Sequence, residues 1–448
     1  MSAIAQPGGS TAITTLATRV IALCWFLVLL DGLDLFVYGA VLPGVLDDKA
    51  FHLTKAVAGD IGSLTNFGML LGALTAGLLT DRIGRRRLLL AGVVIFSLAS
   101  GGAATAPSVG VFAVARFISG YGLGALLPTC IALVQEFAPP RRKAIAVTFL
   151  MTAHQAGGAL AGALAMSVVH ALGWRSVYWL GMLPLLLIPV VWALLPESIT
   201  YLISSGRTER ATALASKYGV PLGFYAPEPG AERRRGDVRA LFAAPVRTTT
   251  LLFWVASFFG LLLVYGMNTW LPTMMRGHGY NLGSAISFLL VINLGGIVGM
   301  LVAGPLADRF GPQRVAMAWF ACTAVGVGLL VNHMPLVWTY VVVFATGGFL
   351  FSAQTLIYAS TSSYYLPSVR ATALGWVSAV GRWGSIFGPW FGGVLLSHGL
   401  TTSGFGMFSA AAVIALLTLA FVRRNPEVDA INAADDLAAT EGSTTQPV

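Results

Sequence analysis

The sequence predicts an all-α membrane protein with twelve transmembrane helices in two six-helix halves. Its 448 residues are 56% hydrophobic and only 10% charged, and the mean hydropathy is +0.79. A soluble domain carries about 25% charged residues, so this composition excludes an ordinary soluble enzyme. Apolar runs recur along the whole chain, and one charged motif occurs twice. Together these features indicate a polytopic helical membrane protein.

Twelve apolar runs are bounded by charged or turn residues, and a helix needs about 20 such residues to cross a bilayer. The first run contains two aspartates and is too long for a signal peptide, so we expect it to be retained as a span. The runs lie at 20–44, 57–80, 88–106, 109–135, 144–170, 176–196, 248–274, 284–307, 314–331, 335–360, 370–397 and 403–422.

Positive charge is unevenly distributed around these runs. Of the 27 Lys and Arg residues, 21 lie on the side of the two termini, 4 lie on the other side, and Arg116 and Arg382 lie inside spans. Because loops rich in Lys and Arg stay in the cytoplasm, both termini are predicted to be cytoplasmic. The net charge of +9 then reflects topology, and we expect no nucleic-acid partner.

The chain divides by composition into four parts. Residues 1–196 form the predicted N-terminal six-helix half, and residues 248–424 form the C-terminal half. Residues 197–247 are rich in proline and charge and are predicted to form a cytoplasmic central loop. Residues 425–448 are acidic and polar, which is typical of a disordered tail.

The two halves contain an internal repeat. The segments GLLTDRIG at 77–84 and GPLADRFG at 304–311 share five of eight positions at an offset of 227 residues. The same offset places Gly157 on Gly384. An internal duplication is a common design among secondary transporters, and the repeat therefore favours a transporter.

The repeated segment predicts a cytoplasmic gate between helices. Asp81 can cap a helix end and pair with Arg82 or Arg85, forming a latch that breaks as the halves move. Pro312 and Gln313 replace Arg85 and Arg86 in the second copy, so its latch should be weaker. The predicted gate residues are Gly77, Asp81, Arg82, Gly84, Arg85, Arg86, Asp308 and Arg309.

Two aspartates in the first span are candidates for proton coupling. Asp31 and Asp34 lie 12 and 15 residues beyond Arg19, which is about 18 and 22 Å into the membrane along a helix. The i, i+3 spacing puts both on one helix face, with Gly32 leaving room between them. Two adjacent carboxylates in a poorly hydrated site should not both ionise readily, which is the property that a proton carrier needs. The alternative is a structural role in bonding a neighbouring helix.

Arg382 has the same predicted depth in the opposite half. Unlike an aspartate it cannot discharge itself, so it requires an anion, either Asp31, Asp34 or a substrate carboxylate held bidentately. Gln155 occupies the place of Arg382 in the first copy. The predicted substrate-binding residues are Arg382, Gln155, His154, Trp383 and Trp390. The alternatives are that the tryptophans face lipid or core and that His154 bonds a neighbouring helix.

Arg116 is the second arginine inside a span. It could assist proton movement, or it could neutralise Asp60 or Glu136, and the sequence leaves both interpretations open. Glu136 lies at the cytoplasmic end of its span and is expected to pair with Arg141 or Arg142. The three cysteines occur in apolar runs without framework spacing, so no disulfide, metal site or cofactor is predicted.

Several segments resemble a known family. GALTAGLLTDRIGRRR at 72–87 closely resembles the loop signature of the major facilitator superfamily, and RFISGYGLGA at 116–125 is similar to a fourth-helix motif of its proton-coupled members. DGLDLFVYGAVLPGVL at 31–46 looks like the first-helix signature of the aromatic acid:proton symporters. NTWLPTMM, LPESITYL and GRWGSIFGPWFGG are also similar to that family, although Ile199 and Thr200 depart from its usual pattern after PES.

This resemblance implies the major facilitator fold and proton-coupled uptake of a benzoate-type acid across the bacterial inner membrane. It also implies proton-linked roles for Asp31 and Asp34 and anion recognition by Arg382. We expect a monomer that contacts lipid, protons and a small aromatic carboxylate.

Two other functions remain open at this point. A porter of the same fold could carry another small organic acid or a sugar, although Arg382 disfavours a neutral sugar. A non-transporting membrane sensor is disfavoured because the longest interior loop, of about 50 residues, is too short for a typical signalling domain.

Overall fold

The structure, a computed structural model, describes residues 9–49, 51–139, 142–218, 238–243 and 246–423. These residues form helices and connecting turns, with no strand among them. The α-helices are α1 (Gly9–Asp47), α2 (Lys55–Ile83), α3 (Arg85–Ala104), α4 (Val109–Gly124), α5 (Leu126–Phe137), α6 (Lys143–Leu172), α7 (Arg175–Leu180), α8 (Pro184–Leu194), α9 (Ile199–Ser204), α10 (Thr208–Tyr218), α11 (Arg247–Gly277), α12 (Leu282–Phe310), α13 (Pro312–Leu329), α14 (Leu336–Tyr364), α15 (Pro367–Ser397) and α16 (Thr401–Ala420).

Nine segments within the described residues are long and apolar enough to cross a membrane. One of these combines α4 with α5, and another combines α7 with α8. The three remaining predicted spans fall on α6, α13 and α15. Polar residues such as Gln155, Arg314 and Arg382 lower the hydropathy of these helices, so the count of twelve spans stays a prediction. The predicted tail, 425–448, lies outside the described residues.

The helices pack as two bundles. We refer to α1–α8 as the N-terminal half and to α11–α16 as the C-terminal half; α9 and α10 lie in the segment 197–247, the predicted central loop. In the first, α1 packs on α6 and α2 packs on α4; in the second, α11 packs on α15 and α12 packs on α14. A short 3-10 helix, Val238–Phe242, lies between the two halves in the chain.

The interhelical contacts of the two halves repeat at the offset of 227 residues. Gly68 of α2 lies against the backbone carbonyl of Phe117 on α4, and Gly295 of α12 lies against that of Phe344 on α14. A Cβ atom at either glycine would collide with backbone, so the small residues allow the close approach of the helices. Each copy thus uses the same glycine position for the same helix crossing.

The turns after α2 and α12 are also equivalent. Gly84 and Gly311 have φ values of +93° and +87°, a region that glycine enters without steric cost. These turns mark one end of the bundle, which we call the arginine-rich end because Arg82, Arg85 and Arg86 lie there. The other end, where α1 ends and α2 begins, is called the opposite end.

The principal contacts between the halves join α1 to α11, α2 to α15 and α6 to α12. Ser63 of α2 donates a hydrogen bond of 2.6 Å to the carbonyl of Ile386 on α15, and Gly59 lies against the backbone of α15 at Pro389. Arg276 of α11 contacts Asp47 of α1 at 2.5 Å. These contacts lie between the middle of the bundle and the opposite end, so the halves are held together there.

Candidate functional site

Asp34 forms a buried ion pair with Arg116 in the N-terminal half. The guanidinium of Arg116 donates to Oδ2 of Asp34 at 3.0 Å, and Ser119 Oγ donates to the same oxygen at 2.6 Å. The guanidinium also lies 5.6 Å from the ring centre of Tyr38 and 5.7 Å from that of Tyr178. Arg116 therefore neutralises Asp34 and not either of the two carboxylates that the sequence suggested as alternatives.

Asp31 occupies a different environment from Asp34, although both are on one face of α1. Its side chain is 0% exposed, and neither carboxylate oxygen has a hydrogen-bond partner among the described residues. Nε2 of His154 lies 3.7 Å from Oδ2 of Asp31. An ionised carboxylate is costly in such surroundings, and in this Asp31 differs from Asp34, whose charge is paired.

The backbone around Asp31 is fixed by close packing of α1 on α6. Gly32 faces the backbone carbonyl of His154, and Gly157 faces the backbone of α1 at Leu29. The sequence predicted that Gly32 separates the two aspartates. In the structure it instead makes room for α6, and that approach brings His154 to Asp31.

Arg382 approaches from α15 in the C-terminal half. Its guanidinium donates a hydrogen bond of 3.4 Å to the hydroxyl of Tyr265. Asp31 and Tyr358 lie close enough to interact with it electrostatically, but Arg382 forms no ion pair within 4 Å among the described residues. An arginine in this state is free to bind a carboxylate.

Three rings connect the Asp31 end of the site to the Arg382 end. The His154 ring meets Phe36 edge-on, with centroids 4.8 Å apart, and Phe36 lies 6.4 Å from Tyr265. We call Phe36, His154 and Tyr265 the aromatic wall. It brings together α1, α6 and α11, and it provides apolar surface between a carboxyl group and a guanidinium.

The structure does not bring Trp383 and Trp390 into this wall. Their residues are 48% and 42% exposed, and with Phe387 they form an i, i+4, i+7 stripe about a quarter-turn from Arg382. Gln155 is buried next to His154 on α6, and its side-chain oxygen has no partner among the described residues.

Phe36, Tyr265 and Tyr358 were missed by the sequence reasoning. One signal for Tyr265 was present, since the offset of 227 places it on Tyr38, which lies beside Arg116. No comparable signal identifies Phe36 or Tyr358, because an aromatic residue in an apolar span is usually core or lipid-facing.

At the arginine-rich end, Arg85 pairs with Glu136 at the end of α5. Glu136 also accepts hydrogen bonds from Ser198 Oγ at 2.7 Å and from the backbone N–H of Thr200 at 2.9 Å. The sequence predicted Arg141 or Arg142 as the partner of Glu136; among the described residues its ion pair is with Arg85 and none is formed with Arg142. Arg141 lies outside the described residues, so that pairing stays a prediction. The side chain of Asp81 is also outside the described part of the structure, so its pairing stays a prediction. Of the two partners predicted for it, Arg85 pairs with Glu136.

Other gate residues contact backbone and aromatic groups of the same half or of α9. Arg86 stacks over the Trp192 ring at 4.1 Å and donates to the carbonyls of Trp192 and Leu195. The backbone carbonyl of Arg82 accepts a hydrogen bond from Tyr201. These contacts therefore join helices of the N-terminal half to one another and to α9, and none of them reaches the C-terminal half in this conformation.

In the second copy of the repeat, an uncharged residue makes the contacts that Arg86 makes in the first copy. Gln313 donates 2.9 Å hydrogen bonds to the carbonyls of Leu419 and Val422, which are the copies of the two carbonyls bound by Arg86. Asp308 and Arg309 are exposed, with Arg309 over the Phe310 ring. Among the described residues, nothing lies within 4 Å of the position where Gly77 would carry a Cβ, so Gly77 is not at a close helix crossing in this conformation.

The profile of the Major Facilitator Superfamily matches residues 24–365 and 284–445. The chain is 36% identical to the gallate transporter of Pseudomonas putida, over 92% of this chain and 94% of that protein. It is 32% identical to the benzoate transport protein of Acinetobacter baylyi, over 90% of this chain and 88% of that protein.

A solved structure shares the fold at low sequence identity. The inward open xylose transporter from E. coli superposes with a TM-score of 0.72 at 18% identity, covering 94% of this chain and 99% of that one. This likeness confirms the predicted all-α fold, and the profile and the two relatives confirm the predicted family. This chain belongs to the Major Facilitator Superfamily and is a multi-pass membrane transporter, not an enzyme.

Proposed function

We propose that the protein imports an aromatic monocarboxylate together with protons across the bacterial inner membrane, as a monomer with both termini in the cytoplasm. The observation that carries the proposal is the arrangement of Asp31 and Arg382. A buried carboxyl group without a hydrogen-bond partner on one half lies within electrostatic range of a guanidinium on the other half. The names of the gallate and benzoate relatives support the substrate class.

Arg382 is the proposed carboxylate ligand. Its planar fork of N–H donors matches a carboxylate bidentately, and among the described residues the guanidinium has one hydrogen-bond partner, the hydroxyl of Tyr265. The aromatic wall then packs against the ring of the substrate. A neutral sugar would leave this guanidinium without an anion, which makes an acid the better fit.

Asp31 is the proposed proton carrier. An ionised Asp31 would draw Arg382 to itself, whereas a protonated Asp31 leaves the guanidinium to the substrate. The two anions thus compete for one cation, and this competition couples proton binding to substrate binding. Asp34 is held by Arg116 and Ser119 and forms a second proton-linked group within the N-terminal half.

Alternating access follows from movement of the halves against each other. In the conformation described, the halves meet between the middle of the bundle and the opposite end, so the site is proposed to open toward the arginine-rich end. Closure there and separation at the opposite end would expose the site to the other side of the membrane.

Transport by the purified protein in liposomes tests this proposal. We expect radiolabelled benzoate and 4-hydroxybenzoate to be taken up against their gradients when an inward proton gradient is imposed. A protonophore should abolish that accumulation. Uptake that follows only the substrate gradient, unaffected by the protonophore, would contradict proton coupling. Competition by a neutral sugar but by no aromatic acid would contradict the proposed substrate.

The variant Asp31→Asn separates coupling from binding. It keeps the shape of the side chain but cannot carry the exchanged proton, so we expect uphill accumulation to fall to background while substrate exchange continues. Asp60→Asn is the matched control, because Asp60 is an exposed carboxylate on α2. Full uphill transport by Asp31→Asn would contradict the assignment of Asp31 as the proton carrier.

A further inference from the structure

A positively charged cavity lies at the arginine-rich end, outside the candidate transport site. Its volume is about 300 Å³, at the lower limit of the range typical of small-molecule sites. It is lined by the start of α3, the end of α8 and the segment that contains α9 and α10. The charged residues in its described lining are Arg86, Arg87, Glu197, Arg207, Arg210 and Lys217. Four arginines and a lysine outnumber one carboxylate there, so the cavity favours an anion.

The carboxylate of Glu197 is bound to backbone and not to these cations. It accepts hydrogen bonds of 3.0 Å from the backbone N–H groups of Arg86 and Ser198. Among the residues that the structure describes, neither Glu197 nor any of the four arginines forms an ion pair within 4 Å. Because like charges repel one another, an anion bound between the arginines would stabilise their arrangement.

Arg86 has a donor that its described neighbours leave unused. Its Nη1 donates to the backbone carbonyls of Trp192 and Leu195, and the guanidinium stacks over the Trp192 ring. The Nε atom is buried and has no hydrogen-bond partner among the described residues. A buried donor without a partner is costly, and an anionic oxygen in the cavity would satisfy it with a charge-assisted hydrogen bond.

The helix α10 presents a basic face to the cavity. Ala211 and Ala215, one turn apart, are buried, and α10 packs on α9 and α1. Arg210, Leu214 and Lys217 follow one another at spacings of four and three residues, so they share a second face, and this face lines the cavity. Packing of the alanine face therefore determines where these basic residues lie.

The cavity adjoins an apolar outer surface of α8. Leu186, Val190 and Leu194 are spaced by four residues and lie along one helix face, and all three are exposed. Leu194 also lines the cavity. In a membrane-spanning chain such a face contacts acyl chains. A phospholipid combines an anionic phosphate with acyl chains, so it fits both surfaces, whereas a soluble anion would use the cavity alone.

We propose that this cavity binds the phosphate headgroup of an anionic phospholipid whose acyl chains follow the outer face of α8. Basic pockets beside membrane-spanning helices recognise such headgroups in other proteins. Arg86 contacts the phosphate from α3, and Arg207 and Arg210 contact it from the α10 side, so the bound lipid ties α10 to the end of α8. Lipid binding here does not depend on which substrate is transported.

Lipid titration of the purified full-length protein, followed by native mass spectrometry, tests this site. The probes are phosphatidylglycerol and phosphatidylcholine with identical acyl chains, and inorganic phosphate. Both lipids contain a phosphodiester, but choline cancels its charge, so we expect phosphatidylglycerol to bind about tenfold more tightly or better. Equal affinities for the two lipids would overturn the proposal. Inorganic phosphate that binds as tightly as phosphatidylglycerol would overturn the choice of a lipid.

The double variant Arg207→Gln/Arg210→Gln removes two proposed phosphate ligands from exposed positions. We expect it to weaken phosphatidylglycerol binding about tenfold or more and to leave phosphatidylcholine binding unchanged. The matched control is Arg247→Gln/Arg314→Gln, which removes the same charge from exposed positions at the same end, outside the cavity. An equal loss in both double variants would indicate attraction to the overall charge and would overturn the site.

Hydrogen exchange locates the lipid on the unmodified protein, and it remains decisive if the double variant does not fold. In nanodiscs of phosphatidylglycerol, the amides of α10 should exchange severalfold more slowly than in nanodiscs of phosphatidylcholine. The 3-10 helix Val238–Phe242, which does not line the cavity, is the internal control. Equal exchange of α10 in the two lipids would contradict the placement of the headgroup.

Discussion

The guanidinium of Arg116 is 1% exposed and depends on Asp34 for its counter-charge. Removing one partner of such a pair leaves a buried, uncompensated charge, which typically costs about 3–5 kcal/mol. Replacing both partners with apolar residues removes that penalty. Burial therefore predicts an asymmetry between single and double variants at this site.

We expect Arg116→Leu to lower the thermal unfolding temperature in detergent more than the double variant Asp34→Leu/Arg116→Leu does. The matched control is Arg175→Leu, because Arg175 pairs with Asp48 but its side chain is 39% exposed, where ion pairs contribute about 0–1 kcal/mol. A double variant that is less stable than Arg116→Leu would argue against a buried charge as the cause.

The sequence shows on which helices the charged residues lie, but their pairing could not be predicted from it. Spacing puts Asp31 and Asp34 on one face of α1, so either could have met Arg382. The choice depends on how α4 and α15 are rotated and on the approach of α6 at Gly32. Those are tertiary contacts, and no local pattern in α1 records them.

At the scale of elements, two glycines of α4 differ in their surroundings: one lies at a helix crossing and the other does not. A Cβ on Gly120 would meet the backbone carbonyl of Thr65, whereas nothing lies within 4 Å of a Cβ on Gly110. Backbone cannot rotate away as a side chain can, so the two glycines of one helix should respond in opposite ways to the same substitution.

Gly120→Ala is expected to destabilise the protein by about 1–3 kcal/mol through overpacking. Gly110→Ala should be neutral or should stabilise it by up to about 1 kcal/mol, since it only reduces the freedom of the unfolded chain. Thermal unfolding of both variants in the same detergent is the measurement. Similar destabilisation by both would show that helix propensity, and not the crossing, determines the effect.

Element positions were largely predictable because long apolar runs and charged turns mark the ends of helices. The interior breaks were not predicted: the fourth run is divided at Ala125 and the sixth near Leu183. The sequence indicates that Arg85 and Arg86 lie together at one end of the bundle, but it does not identify the residues that they contact. Glu197 accepts a hydrogen bond from the backbone of Arg86, a contact 111 residues apart in the chain that no local motif reveals.

At the scale of the whole molecule, two adjacent carboxylates make different kinds of contact: one pairs between the halves and the other within a half. Asp47 pairs with Arg276 of the C-terminal half, and Asp48 pairs with Arg175 of its own half. If the halves separate at the opposite end during transport, the Asp47 pair must break in each cycle while the Asp48 pair persists.

Asp47→Asn should therefore make the site more accessible from the opposite end. Thr269→Cys on α11, in a background with the three native cysteines replaced by serine, provides the reporter for a membrane-impermeant thiol reagent. We expect a severalfold faster reaction in Asp47→Asn, and the slow rate should return in the swap Asp47→Arg/Arg276→Asp.

Asp48→Asn is the control and should leave the labelling rate unchanged. Equal acceleration by Asp47→Asn and Asp48→Asn would indicate general loosening of that end and not the loss of a contact between halves.

The repeated glycine crossings also bear on how this chain arose. Gly68 and Gly120 have glycine copies at Gly295 and Gly347, whereas the copies of Asp31 and Arg382 are Phe258 and Gln155. Duplication thus transmitted the helix crossings, and the charged groups diverged between the copies. The two copies therefore share a scaffold of helix crossings, whereas each charged group of the candidate site belongs to one copy alone.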